Sequence, residues 1–151
     1  MSSSYVRSNF NTFLTAKCTG VETVIDITAD FEEINDFLES YGLNYSSNWV
    51  GLYFLGHSEL PVSIQSTNTS GKFREDGSIY IHIIAPTAIG CDAGIISRAE
   101  VIRDYIRGQR IGDIVIDAVS PISFNNGFTI DFEAGFTSGV IIVDYTRDLD
   151  L

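Results

Sequence analysis

Few residues of this chain have a type and spacing that could support chemistry. His82 alternates with apolar neighbours in a predicted strand, where a structural histidine is more common than a base or a metal ligand. His57 follows an apolar strand, and we expect it in a loop that faces solvent. Asp131 and Glu133 stand two apart on one predicted strand and could form an acid–base pair, although a solvated sheet face explains the same spacing.

Known catalytic and binding motifs are incomplete. The Gly-Phe-Thr-Ser-Gly segment at residues 135–139 resembles a nucleophile elbow, but its centre is Thr137 and a strand is predicted to follow. The acidic run that begins at Asp26 has the alternating spacing of a calcium loop, but Phe31 occupies the glycine position and Phe37 the position of the bidentate glutamate. We therefore predict no catalytic residues, no metal and no cofactor, and the chain is not expected to be an enzyme.

One pattern of charges suggests recognition. Arg103, Arg107 and Arg110 follow one another at spacings of four and three near the end of a predicted helix. Glu100 and Asp104 could neutralise the first two arginines, which would make this a solvated, salt-bridged face. The alternative is an arginine edge that pairs with the acidic surface of a neighbouring copy, because guanidinium groups bind carboxylates well.

The elements that would position these residues are three helices and seven strands. Helical spacing of apolar residues predicts a helix from the N-terminal serines to Gly20, one over residues 30–41 with a capping box at Asp30 and Glu33, and one over residues 92–107 that ends at Gly108. Period-two alternation predicts strands near residues 21–27, 49–55, 62–64, 79–83, 114–119, 128–133 and 140–145. Residues 66–76 are predicted as a long polar loop.

The order of these elements predicts a single α+β domain over residues 1–151. Asn126-Gly127 favours a tight hairpin and residues 135–139 a looser one, so the last three strands should form an antiparallel meander. We expect a mostly antiparallel sheet with the helices packed on one face.

The composition limits the partners. Nine Lys plus Arg against 20 Asp plus Glu give a net charge of −11, and no basic residue lies between Lys17 and Lys72. Such a chain is a poor binder of nucleic acid or anionic lipid. The acidity could simply provide solubility, or it could keep the surface from adhering to something negative beside it. Cys18 and Cys91 show no ligand spacing, and we expect both as buried thiols in a reducing cytoplasm.

Several segments, taken in order, resemble one known family. They are Trp49-Val50, residues 76–86 (Asp-Gly-Ser-Ile-Tyr-Ile-His-Ile-Ile-Ala-Pro), Gly90, residues 99–111 (Ala-Glu-Val-Ile-Arg-Asp-Tyr-Ile-Arg-Gly-Gln-Arg-Ile), residues 120–124 (Ser-Pro-Ile-Ser-Phe) and residues 139–149 with their Asp-Tyr-Thr-Arg-Asp ending. Over residues 49–151 the chain resembles the tail-terminator proteins of long-tailed bacteriophages. Residues 29–48 depart from the family pattern and could be an insertion.

The resemblance implies a structural role in the virion tail and neck. Tail terminators form a six-fold ring at the head-proximal end of the tail tube, stop its polymerisation and provide the joining surface to the head. The implied partners are other copies of the chain, the major tail tube protein and a neck or stopper protein. Genomic DNA would pass through the bore without specific binding, and no membrane would be involved. The candidate ring and tube contacts are Lys72, Phe73, Arg74, Arg103, Arg107, Gln109 and Arg110.

Other functions stay open at this point. A neck or tail-completion protein would occupy an adjacent layer of the same assembly. An acidic inhibitor that mimics DNA would need its carboxylates spaced along one exposed face. An enzyme acting on a small ligand comes third, because the sequence offers no site for it.

Overall fold

The computed structural model describes residues 3–28, 42–43, 47–63, 72–86, 92–124 and 136–150. In this part of the chain a six-stranded mixed sheet packs with two helices. The helices are α1 (Ser4–Lys17) and α2 (Asp92–Ile106); the strands are β1 (Val24–Asp26), β2 (Trp49–Ser63), β3 (Lys72–Pro86), β4 (Arg110–Ile111), β5 (Ile114–Val119) and β6 (Phe136–Asp150). The predicted α+β class is confirmed.

The sheet has the strand order β1-β2-β3-β6-β5-β4. All pairings are antiparallel except that of β1 with β2, which is parallel. A parallel pair needs a connection of about a dozen residues or more, and the stretch between β1 and β2 is long enough for one. The expectation of a mostly antiparallel sheet is therefore confirmed for the described strands.

Both described helices cover the same face of the sheet. Helix α1 begins at the N-cap Ser3, whose side chain accepts a hydrogen bond from the Val6 amide. Its buried stripe consists of Val6, Phe10 and Leu14, and that of α2 consists of Ile95, Ala99, Ile102 and Ile106. These side chains form one core with alternate residues of the strands, among them Leu52, Phe54, Ile81, Ile83, Ile116, Ile141 and Val143. We call this side of the sheet the helix face and the opposite side the outer face.

The hairpin of β2 and β3 is longer than predicted. Strand β2 is continuous, so the separate strands predicted at residues 49–55 and 62–64 are wrong, and His57 lies in a strand. Register shifts between Gly56 and Ser58 and between Pro61 and Ser63 break the alternation that the prediction relied on. Because β3 begins at Lys72, residues 72–76 are strand and not loop. Within this stretch Arg74 pairs with Asp148 of β6 and Glu75 with Arg147 of β6.

Two further predictions are corrected at the ends of α1 and α2. The amides of Val21 and Glu22 donate to the Cys18 carbonyl in a turn through Gly20, whose φ is +80°, so β1 starts at Val24 and not at Val21. Gly108, with φ +72°, ends the turn after α2 as predicted. Arg110 then lies in β4, a strand that the sequence did not predict. Three predictions lie outside the described residues: the helix at residues 30–41, the hairpin and strand at residues 126–133, and most of the proposed insertion at residues 29–48.

Candidate interaction surfaces

The arginines that the sequence grouped into one stripe lie on two sides of the sheet. Arg103 lies on α2 and Arg107 in the turn directly after it; Arg103 donates to Glu100 at 3.0 Å and Arg107 to Asp104, in each case three residues earlier. The Arg107–Asp104 pair is exposed and contributes less than about 1 kcal/mol, so it can be exchanged for contacts with a partner at little cost; the Arg103 side chain, in contrast, is only 14% exposed.

Arg110 belongs to the outer face instead. It is paired in register with Val115, which is exposed and alternates with the buried Ile114 and Ile116. Its Nε donates to the Gly112 carbonyl at 3.2 Å, and its guanidinium makes no ion pair within the described part of the chain. Gln109 precedes it, and the Gln109 carbonyl accepts from the Ile116 amide. Arg110 therefore does not lie in one stripe with Arg103 and Arg107.

Arg74 also lies on the outer face, on β3, which β6 and β5 separate from Arg110 on β4. It forms a bidentate, exposed ion pair with Asp148 of β6, with Nε at 2.8 Å from Oδ1 and Nη2 at 3.3 Å from Oδ2. The pairing with Asp148 and the nearby Asp117 raises the pKa of Arg74. The remaining candidates, Lys72 and Phe73, occupy the start of β3.

Carboxylates from three strands converge on this outer face. Asp144 accepts from the Ser78 hydroxyl at 2.7 Å, and Asp117 accepts from the Thr146 hydroxyl at 3.3 Å. Among the described residues, neither Asp144 nor Asp117 makes an ion pair. Together with Asp76 and Asp148 they form a surface that we call the outer acidic face: Asp76, Asp117, Asp144 and Asp148, with Arg74 as the paired cation. Sequence reasoning missed it because its members come from β3, β5 and β6, which only the fold brings together.

The helix side carries a different kind of surface. A cleft of about 70 Å³ lies between the turn after α1 and the side of α2. Its lining, which we call the helix-side cleft, consists of Cys18, Val21, Glu22, Arg98, Val101, Ile102 and Tyr105. Val21 is 73% exposed and Val101 46% exposed, so two branched apolar side chains of the lining are open to water at the same place.

An ion pair fixes the wall of this cleft. Arg98 binds both carboxylate oxygens of Glu22, at 2.5 and 2.8 Å, and also donates to the carbonyls of Ile84 and Trp49. Both partners are largely buried. The guanidinium thus joins α2, the α1–β1 turn and the ends of β2 and β3, which makes the cleft a rigid feature. Burial and the neighbouring Glu22 raise the pKa of the Cys18 thiol to about 11, so this cysteine is protonated and unreactive at neutral pH.

A second buried cluster holds the start of α1 on the sheet. Glu75 accepts from the Ser3 amide at 3.1 Å and from the Tyr145 hydroxyl at 3.3 Å, and Arg147 approaches it to 3.6 Å. The Arg147 guanidinium stacks 3.8 Å above the ring centroid of Tyr5. These groups lie between the sheet and the start of α1 and hold the two together.

The buried histidine fits a structural role. His82 is 1% exposed on β3, and burial lowers its pKa to about 4, so it is neutral at pH 7. Within the described residues no group of three or more His, Cys, Asp or Glu side chains is placed to hold a metal ion. Neither of the described helices is long and apolar enough to cross a membrane.

Comparison with known proteins identifies the fold and no family. Scans against protein-family models and curated proteins find no match. Among solved structures the arrangement does recur, since 13 chains match it. One of them is 14% identical, with a TM-score of 0.52 over 97% of this chain and 96% of its own. At this identity the likeness shows the fold alone, over nearly the full length of both chains.

Proposed function

We propose that this chain is a phage structural protein that caps the head-proximal end of the tail tube as a six-fold ring. The cap would stop addition of tube subunits and offer its other side to the neck proteins of the head. The resemblance of residues 49–151 to tail terminators motivates this proposal, and the α+β fold is compatible with it.

The observation that carries the proposal is the difference between the two sides of the sheet. The helix side presents an apolar cleft and locally neutralised arginines, whereas the outer side presents carboxylates. A subunit that continues a polymer needs matching ends, but a subunit that terminates it must contact the polymer with one surface and something else with another. Two unlike surfaces on one small domain suit the second task.

The acidity supports the same role. A ring that surrounds the path of the genome must let DNA slide without adhering, and carboxylates repel phosphates. The outer acidic face concentrates such groups, so we place its part on β3 and β6, with Asp76, Asp144 and Asp148, toward the bore or the neck. Within this proposal, Arg103 and Arg107 contact a different neighbour from Arg74 and Arg110, because the two pairs lie on opposite sides of the sheet.

Electron microscopy tests the capping function directly. Purified chain mixed with tail tubes of the phage that encodes it should form rings at one tube end, and a phage that lacks the gene should make tails of uncontrolled length. Rings one layer away from the tube end would identify a neck or tail-completion protein instead. Tubes that stay bare, with tails of normal length in the deletion phage, would refute the proposal.

A second candidate function rests on the outer acidic face itself. Asp76, Asp117, Asp144 and Asp148 share one side of the sheet, which is the arrangement that a protein mimic of DNA needs. Such a protein would bind basic host nucleases. Binding to a panel of basic host proteins that is abolished by Asp144→Lys with Asp148→Lys would favour the inhibitor over the terminator.

A further inference from the structure

We propose that the helix-side cleft of one copy binds the outer face of β5 of the next copy, with the neighbour's Val115 seated between Val21 and Val101. This inference rests on the proposed ring and specifies how its subunits touch. The occupant of the cleft is a second copy of this chain.

Apolar complementarity is the first argument. Val21 and Val101 stand at the mouth of the cleft, and the cleft has room for the branched end of one aliphatic side chain. On the other side of the sheet, Val115 is 39% exposed in the middle of polar neighbours. Bringing these three side chains together would remove from water the apolar surface that both sides leave exposed.

Charge complementarity is the second argument. Lys17 directly precedes Cys18 of the cleft, is exposed and makes no ion pair within the described residues; its ammonium lies 5.8 Å from the Phe13 ring centroid. Asp117 lies two residues after Val115 on β5 and makes no ion pair in that part of the chain; the nearby Arg74 is paired with Asp148. A cation beside one apolar spot and an anion beside the other would fix the register of the contact.

In a second pair of charges, the cation lies on the outer face beside Val115 and the anion lies beside the cleft. Arg110 lies beside Val115 on the outer face. Asp104 follows Val101 by three residues on the same side of α2, and its exposed pair with Arg107 would be exchanged for the contact with the neighbour. Each surface therefore offers one cation and one anion around an apolar centre, which would orient the neighbour and disfavour other arrangements.

The geometry of this contact leads to a closed ring or a filament. The cleft and the β5 face lie on opposite sides of the sheet, so the contact is heterologous: each copy gives its β5 face to one neighbour and its cleft to another. A pairwise, two-fold dimer cannot form through these surfaces, because neither is complementary to itself.

Substitution of the apolar residues tests the contact. Val101→Asp and Val115→Asp should each weaken self-association by at least about tenfold in sedimentation or native mass measurements, because a carboxylate would be buried without a partner. The control is Ile96→Asp, since Ile96 is 42% exposed on the same helix but does not line the cleft. Equal effects of Ile96→Asp and Val101→Asp, or unchanged association of either valine variant, would overturn the proposal.

An exchange of charges tests the register. Lys17→Glu and Asp117→Lys should each weaken association, whereas an equimolar mixture should restore it, because the two variants can alternate around a ring with an even number of copies. A mixture no better associated than its components would contradict the contact. So would a wild-type chain that stays monomeric both alone and with tail tubes. Rings that form in solution but leave tubes uncapped would instead refute the terminator function and leave this contact standing.

Discussion

Individual residues of this protein are constrained most tightly where the backbone leaves no room for a side chain. A Cβ added to Gly77 would lie 2.6 Å from the Leu55 carbonyl oxygen and 2.6 Å from the Tyr145 hydroxyl. The first neighbour is backbone and the second is held by Glu75, so neither can move easily. Gly77 is thus required by the packing of β2, β3 and β6.

Replacement of this glycine should therefore destabilise the fold. We expect Gly77→Ala to lower the free energy of unfolding by about 2–3 kcal/mol, the cost of overpacking a core. Gly51→Ala is the matched control, because the atoms nearest to its added Cβ belong to side chains, Cδ1 of Ile27 at 3.0 Å and Cζ3 of Trp49 at 3.2 Å, and none is backbone. Urea unfolding of both variants measures the difference. Equal losses would show that the close approach at Gly77 is not a constraint.

A buried histidine makes stability depend on pH. The pKa of His82 is about 4 in the folded chain and near 6.5 when unfolded, so between these values the unfolded state binds the additional proton. The stabilisation is fully present above pH 6.5 and is lost as the pH falls toward 4. It amounts to about 2 kcal/mol between pH 7 and pH 5.

The measurement is the free energy of unfolding at these two pH values. His82→Gln has no titrating group at this position, so its loss of stability on acidification should be smaller than that of the wild type by about 2 kcal/mol. If both proteins lose the same amount, His82 is not responsible for the pH dependence.

At the scale of elements, buried ion pairs determine how the helices sit on the sheet. In the cluster of Glu75, Arg147 and Tyr145, the Glu75 carboxylate accepts a hydrogen bond from the amide of Ser3, the residue before α1. The pair of Arg98 with Glu22 holds α2 against the end of the sheet. Arg7 of α1 adds a pair with Asp26 of β1 at 3.0 Å. Each pair joins residues that are distant in sequence.

Removal of one member of such a pair leaves the other charge buried and uncompensated. Glu75→Ala should cost about 3 kcal/mol and speed hydrogen exchange in the first turn of α1, because Ser3, Tyr145 and Arg147 lose their acceptor. The control is Arg74→Ala at the neighbouring position, which breaks the exposed pair of Arg74 with Asp148 and should lower the free energy of unfolding by less than about 1 kcal/mol. Equal losses in the two variants, or unchanged exchange at α1, would contradict an anchoring role for Glu75.

The elements also show what the sequence could and could not predict. Helices α1 and α2 and strand β5 were predictable, because an apolar stripe or alternation of local residues defines them. The distal arm of the β2–β3 hairpin was not, since two register shifts and polar cross-strand pairs hide the alternation. Glu75 was assigned to a loop, although Phe73, Glu75 and Gly77 extend the pattern of Ile79 backwards. The outer acidic face and the Arg98–Glu22 pair depend on contacts between distant segments, which local periodicity does not encode.

For the whole molecule, the net charge of −11 raises the question of how copies of such an acidic chain could associate at all. Like-charged subunits repel one another at long range, and the repulsion is screened as salt is added. For a contact with an apolar centre and a few flanking ion pairs, added salt weakens the repulsion between whole subunits and so favours association. The same salt slightly weakens the flanking ion pairs and so disfavours association. The two effects oppose each other.

Self-association of this chain should consequently depend only weakly on ionic strength. We expect its dissociation constant to change less than about fivefold between about 50 mM and about 500 mM NaCl, because burial of Val21, Val101 and Val115 does not depend on screening. Binding of the same chain to a polycation such as polylysine is the control, and it should fall steeply over this range, since released counterions dominate it. Sedimentation at several salt concentrations separates the two. Association that falls with salt as steeply as polylysine binding would mean that charges alone hold the copies together. The outer acidic face would then be a binding surface for basic partners, as the inhibitor hypothesis requires.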